Sequence, residues 1–100
     1  MCDMRREIKL TYLKKATKFL AKNKSILTEE HVDALIVKFI KKKIYGIDVN
    51  LDYKQMRGSI QDIYRIRKGD IRIIVRLKDE EVIIEAIVEA IGFRGDIYKR

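Results

Sequence analysis

The chain has no proline, no tryptophan, one cysteine and one histidine. Each scarcity excludes something. A stretch of 100 residues without proline suits compact helices and strands better than a linker-rich chain. Cys2, alone, forms no intrachain disulfide and builds no cysteine-based zinc site, so a reducing compartment is the simpler expectation. The lone His31 falls in the first turn of a predicted helix and reads as a surface residue of a capping region. No apolar run approaches the length that spans a bilayer, and the first ten residues carry charges where a signal peptide has its apolar core. The expectation is a cytoplasmic protein with no membrane partner. Gly-rich phosphate loops, metal-ligand clusters and Ser/His/Asp arrangements are also missing, so neither metal nor cofactor is expected.

What is present is a basic, core-forming chain. Hydrophobic residues make up 47%, enough for one core, and 38% are charged. The length allows a single domain spanning residues 1–100. Lysine and arginine number 23 against 15 acids, a formal charge of +8. That excess favours nucleic acid, an anionic surface or an acidic protein as partner.

Residues 63–78 read I-Y-R-I-R-K-G-D-I-R-I-I-V-R-L-K, two alternating runs joined by Gly69-Asp70. Period-two alternation predicts strands with one buried and one solvated face. The Gly-Asp pair predicts a two-residue type II′ hairpin, with glycine supplying the positive φ. If Lys68 pairs with Ile71, Arg67 lies opposite Arg72 and Arg65 opposite Ile74. Arg65, Arg67 and Arg72 then share one face, with Arg76 further along it. Like charges placed opposite each other cost stability. A bound anion would offset that cost.

Around this hairpin the chain divides simply. Residues 6–10 alternate and predict an edge strand. From Thr11, a plausible N-cap, Tyr12, Leu13, Ala16, Phe19 and Leu20 recur at helical spacing until Asn23. Thr28-Glu29-Glu30 predicts the start of a second helix with a capping hydroxyl and two acids in the first turn. Its stripe is Val32, Leu35, Ile36, Phe39 and Ile40, and Lys41, Lys42 and Lys43 close it. The short link between the helices predicts an antiparallel helical hairpin. Residues 45–60 read as irregular. Lys78-Asp79-Glu80-Glu81 predicts a second tight turn, followed by a third strand over residues 82–91. That turn sets Ile83 beside Arg76, Glu85 beside Ile74 and Ile87 beside Arg72. The expected fold is α+β: an N-terminal strand, a two-helix antiparallel hairpin, then a three-stranded antiparallel sheet with the helices packed on one face and the arginine face open.

On that open face guanidinium forks suit phosphate, binding it bidentately without losing charge. Arg65, Arg67, Arg72, Arg76 and Lys68 are the candidate nucleic-acid-binding residues. Glu85 and Glu89 share the face, as ion-pair partners of Arg72 or Arg76 or as candidate general bases. Gly92 and Gly95 allow a reversal that brings Arg94 and Tyr98 back over it.

The run M-R-G-S-I-Q-D-I-Y-R-I-R-K-G-D-I-R-I-I-V, then D-E-E-V-I-I-E-A, then I-G-F-R-G-D-I-Y resembles the RelE/ParE superfamily of toxins from type II toxin–antitoxin modules. The resemblance implies a RelE-like fold and a ribosome-associated, metal-independent mRNA endonuclease neutralised by an acidic antitoxin. The alternative it leaves is a ParE-like DNA gyrase inhibitor without nuclease chemistry, or a member acting only as a binding partner. In the RelE branch the residues implied as catalytic are Arg65, Arg67 and Arg72 on the strands, and Arg94 and Tyr98 in the tail. Three positions depart from the pattern. Arg65 and Arg67 stand where that branch carries lysines, and Phe93 stands where it has histidine. Arginine clamps phosphate but does not deprotonate at working pH, so a base would come from Glu85, Glu89, Tyr98 or the ribosome. Phe93 would stack on a base or pack.

Overall fold

A computed structural model describes residues 7–56, 62–80 and 82–95. The elements run β1 (Glu7–Tyr12), α1 (Lys14–Lys22), α2 (Glu29–Lys43), β2 (Asp52–Gln55), β3 (Ile63–Lys68), β4 (Ile71–Asp79) and β5 (Ile83–Phe93). The strands form one five-stranded sheet in the order β1-β5-β4-β3-β2, with β1 parallel to β5 and the remaining pairs antiparallel. The expected α+β class holds, but the three-stranded sheet is a five-stranded mixed one. β1 joins it beyond β5, and β2 adds the other edge.

Alternation builds the buried face. Tyr64 and Ile66 on β3, Ile71, Ile73, Val75 and Leu77 on β4, and Ile84, Ala86 and Val88 on β5 enter the core. They meet Ala16 and Leu20 of α1 and Val32, Ile36, Phe39 and Ile40 of α2. The α2 residues follow helical spacing, so one stripe faces the sheet. Phe39 sits against the rings of both Tyr53 and Tyr64, each at 5.1 Å between centroids.

The helix ends follow local chemistry. Thr28 caps α2, its hydroxyl accepting from the His31 amide at 3.3 Å. His31 itself is exposed. Asn23 closes α1, its amide nitrogens donating to Phe19. Thr11 does not cap α1. It stays in β1, its hydroxyl donating to the Glu85 carboxylate at 2.9 Å. The strand therefore extends to Tyr12, whose hydroxyl donates to the Asp33 carboxylate and to the Glu29 carbonyl. The α1 N-cap falls to Leu13 without a side-chain bond. Lys42 has a tertiary role beyond the helix dipole: its ammonium donates to the carbonyls of Val49 and Leu51 at 3.2 and 3.1 Å.

Two register findings position the site. The β3–β4 hairpin is as the alternation predicts: Lys68 pairs with Ile71, Arg67 with Arg72 and Arg65 with Ile74. Gly69 has φ +57, and no non-glycine among the described residues has positive φ. The β4–β5 pairing differs from expectation. β4 continues through Asp79, so the turn moves along the chain, and Leu77 pairs with Ala86 instead of Val82. Faces are preserved because the slip is even, but neighbours change. Glu85 now lies beside Lys78, Ile87 beside Arg76, and Gly92 beside Arg72. A bulge at Glu89 lies between the Val75–Val88 and Ile74–Ala90 pairs. One extra residue on β5 flips the later side chains, which returns Ile91 and Phe93 to the core side.

Candidate nucleic-acid interface

The sheet face turned away from the helices carries Asp52 and Lys54 from β2, Ile63, Arg65 and Arg67 from β3, and Arg72, Ile74, Arg76 and Lys78 from β4. Alternation and the observed pairing place them together. No described helix or strand packs on that face. Arg65, Arg67 and Arg72 thus share it, whereas Lys68 falls on the other side with Tyr64 and Ile66. Lys68 is exposed at the strand end.

The arginines are not equivalent. Arg67 is exposed and faces Asp52 across β2, its Nε 3.6 Å from the carboxylate. Surface pairs at such separations hold weakly. Arg72 is only 7% exposed, so it does not stand open to solvent as expected. Its Nη1 donates to the Gly69 carbonyl at 2.7 Å and to the Ile71 carbonyl at 3.1 Å. The guanidinium therefore braces the hairpin turn. Beside it β5 presents Gly92, a residue without a side chain, because the bulge set that phase.

The end of β5 ties to the same turn. The Arg94 amide donates to the Asp70 carbonyl at 2.7 Å, which brings Arg94 to the hairpin tip with its side chain exposed. Gly95 follows with φ +91, continuing a reversal of the backbone. Tyr98 lies outside the described residues. Phe93 packs, meeting Phe19 edge-on at 5.3 Å.

Farther from the tip the charges are matched. Arg76 Nη2 is 2.6 Å from the Glu89 carboxylate, and its Nε is buried without a partner. Glu85 accepts from Thr11 at 2.9 Å. Its neighbour Lys78 lies six residue steps along β4 from Arg72, about 20 Å at strand rise. Glu85 and Arg72 therefore do not meet at one phosphate. A pocket of about 420 Å³ lies at this end, lined by Asp62, Arg76, Leu77, Lys78 and Asp79. Among the described residues no three His, Cys, Asp or Glu side chains gather where one ion could sit. No described helix is long and apolar enough to cross a membrane.

The residue that sequence reading missed here is Lys54, because β2 was read as irregular. The signal was present: Val49, Leu51 and Tyr53 alternate with Asn50, Asp52 and Lys54.

No protein-family model and no curated protein matches the sequence. Solved structures do. A copper-bound mutant toxin from Helicobacter pylori is similar at a TM-score of 0.65 and 18% identity, over 90% of this chain and 98% of that one. A chain of the E. coli DinJ-YafQ toxin-antitoxin complex matches at 0.60 and 13%, over 96% and 100%. A chain of the archaeal RelE-RelB complex from Pyrococcus horikoshii OT3 matches at 0.52 and 22%, over 92% and 98%. The fold is that of the RelE-like toxins.

Proposed function

We propose that this chain is the toxin of a type II toxin–antitoxin module, a ribosome-associated mRNA endonuclease neutralised by an acidic antitoxin. The observation that carries the reading is the meeting of Arg67, Arg72 and the Arg94 segment at one end of a sheet face that no described element covers. The fold shared with RelE and YafQ toxins supports it, and two of those neighbours are antitoxin complexes. A surface of formal charge +8 calls for an acidic counterpart.

In this reading the phosphate of the scissile bond sits at the hairpin tip. The neighbouring ribose 2′-oxygen attacks phosphorus, and the 5′-oxygen departs on the opposite side. Arg67 and Arg94 donate to the non-bridging oxygens as they gain charge in the pentacovalent transition state. Preorganised donors are most effective at that point. Arg72 keeps the turn, and so both donors, in place. Arg65 grips the chain one step along the strand.

Glu85 and Glu89 stand apart from this chemistry, one at the far end of the sheet and the other paired with Arg76. The base is then Tyr98 or a ribosomal group, and the proton of the leaving oxygen comes from the same pair of sources. Purified protein added to a translating extract should cut mRNA within codons. Intact mRNA with sustained translation would refute the reading. Gyrase-dependent DNA breaks with mRNA untouched would replace it with the gyrase-inhibitor one.

A further inference from the structure

We propose that Lys54 and Arg65 form a second anion subsite, which holds the RNA phosphate next to the one gripped at the hairpin tip. This rests on reading the tip as an RNA site. The two residues lie directly opposite each other on neighbouring strands and on the same face as Arg67 and Arg72. Side chains placed so have Cβ atoms roughly 5 Å apart, and like charges there repel.

The sheet thus carries two like-charge cross-strand pairs, Lys54–Arg65 and Arg67–Arg72. At the tip, Arg67 faces Asp52 and Arg72 bonds two carbonyls. Lys54 is exposed and makes no hydrogen bond or ion pair among the described residues. Between Lys54 and Arg65 lies a pocket of about 240 Å³, lined also by Gln55 and Met56. Among the described residues its charged walls are cationic. The larger pocket around Arg76 has two acids and two bases, and its charges balance.

Geometry sets the occupant. Arg65 and Arg67 are two residues apart on β3, about 6.6 Å at strand rise. That is the span of one nucleotide of extended backbone. One phosphate at the tip therefore puts the next over the Lys54–Arg65 pocket. Arginine supplies a planar fork and lysine a compact charge with three donors, a pairing that suits tetrahedral oxygens. An edge-strand lysine also deters strand pairing. That role alone predicts no effect on RNA.

The test is binding of the full chain to a 2′-O-methylated oligoribonucleotide, which the enzyme holds without cutting, across a salt series. Lys54→Gln should weaken binding several-fold and lower the slope of log affinity against log salt by about 0.7, the loss of one single-strand phosphate contact. Lys38→Gln, on an exposed turn of α2, should change neither. Methylphosphonate placed at one linkage at a time should find a position that weakens the wild type but not Lys54→Gln. An unchanged slope in Lys54→Gln, with the wild type still binding, overturns the subsite alone. A wild type that binds no RNA overturns the tip reading and the subsite with it.

Discussion

The two ends of the sheet start from similar residues and finish with opposite properties. At the hairpin tip, Lys54, Arg65, Arg67, Arg72 and Arg94 gather around Asp52 and Asp70. Toward the other end, Arg76, Lys78 and Lys9 sit among Glu85, Glu89, Asp62 and Asp79. Both ends alternate cation with isoleucine along β3 and β4, so the strands alone do not separate them. β5 does, by placing its acids away from the tip and a glycine beside Arg72. The tip keeps its positive excess, whereas at the other end Arg76 is paired with Glu89 and the remaining cations lie among acids. In the proposed reading, a binding end and a structural end thus arise from one pattern.

The largest expected effect sets the ends directly against each other. Arg67→Ala should lower the rate of mRNA cleavage roughly 10²–10³-fold, the scale for removing one transition-state donor. Arg76→Ala should change it only a few-fold and cost about 1 kcal/mol of stability. Equal rate losses, read by primer extension in a translating extract, would erase the distinction between the ends.

Within the tip, brace and ligand can be separated. Arg72→Ala removes two charge-assisted bonds to the turn and should cost about 2 kcal/mol. For a chain of this size that lowers Tm by roughly 10 °C. Arg67→Ala should leave Tm within about 2 °C, since exposed pairs contribute little. A thermal melt of each variant decides it, and an unshifted Tm for Arg72→Ala would show that the turn needs no brace.

At the far end of the molecule β1 is tied to α2 through Tyr12. Burial and the Asp33 carboxylate push the Tyr12 hydroxyl well above its usual range. The folded state therefore holds this proton more tightly than the unfolded chain, whose tyrosine ionises near pH 10. Its contribution is complete below about pH 10 and declines as pH rises further. Tyr12→Phe should flatten the alkaline limb of stability against pH. The same limb in both proteins would deny Tyr12 this role.

The smallest effect is expected of Glu85. With its carboxylate bonded to Thr11 and its neighbour Lys78 about 20 Å along the strand from Arg72, Glu85→Gln should keep cleavage within about twofold of wild type, far from the 10²-fold scale of a general base. A loss of that larger size would return catalysis to the far end. Lys42 makes a poor reference for any of these comparisons, because it pins the carbonyls of residues 49 and 51. Lys38 serves better.

Much of this was legible in the chain. Alternation over residues 63–77, a glycine where the turn requires positive φ, and helical stripes bounded by Thr28 and Asn23 are local signals. They placed the hairpin register, the end of α1, the start of α2 and the shared face of Arg65, Arg67 and Arg72, whereas Thr11 proved to lie in β1. The β4–β5 turn was harder, since Lys78-Asp79-Glu80-Glu81 has no glycine to mark its centre. Four polar residues allow several turn positions, and the one adopted sets Leu77 opposite Ala86. β2 was overlooked because four residues between loops give a weak pattern, although Tyr53 pairs its ring with Phe39.

Along β3 and β4 periodicity by itself determined which side chains share a face, because that follows from the two-residue repeat of a single strand. What each charged side chain does there was decided only in three dimensions. Arg72 becomes a brace through carbonyls of its own turn, Arg76 becomes half of an ion pair through a bulge on β5, and Lys54 reaches the site through an edge strand. Each outcome depends on which residues lie across a strand boundary. A sequence does not specify that until the strands have paired, because the free energy choosing the register is spread over the whole core.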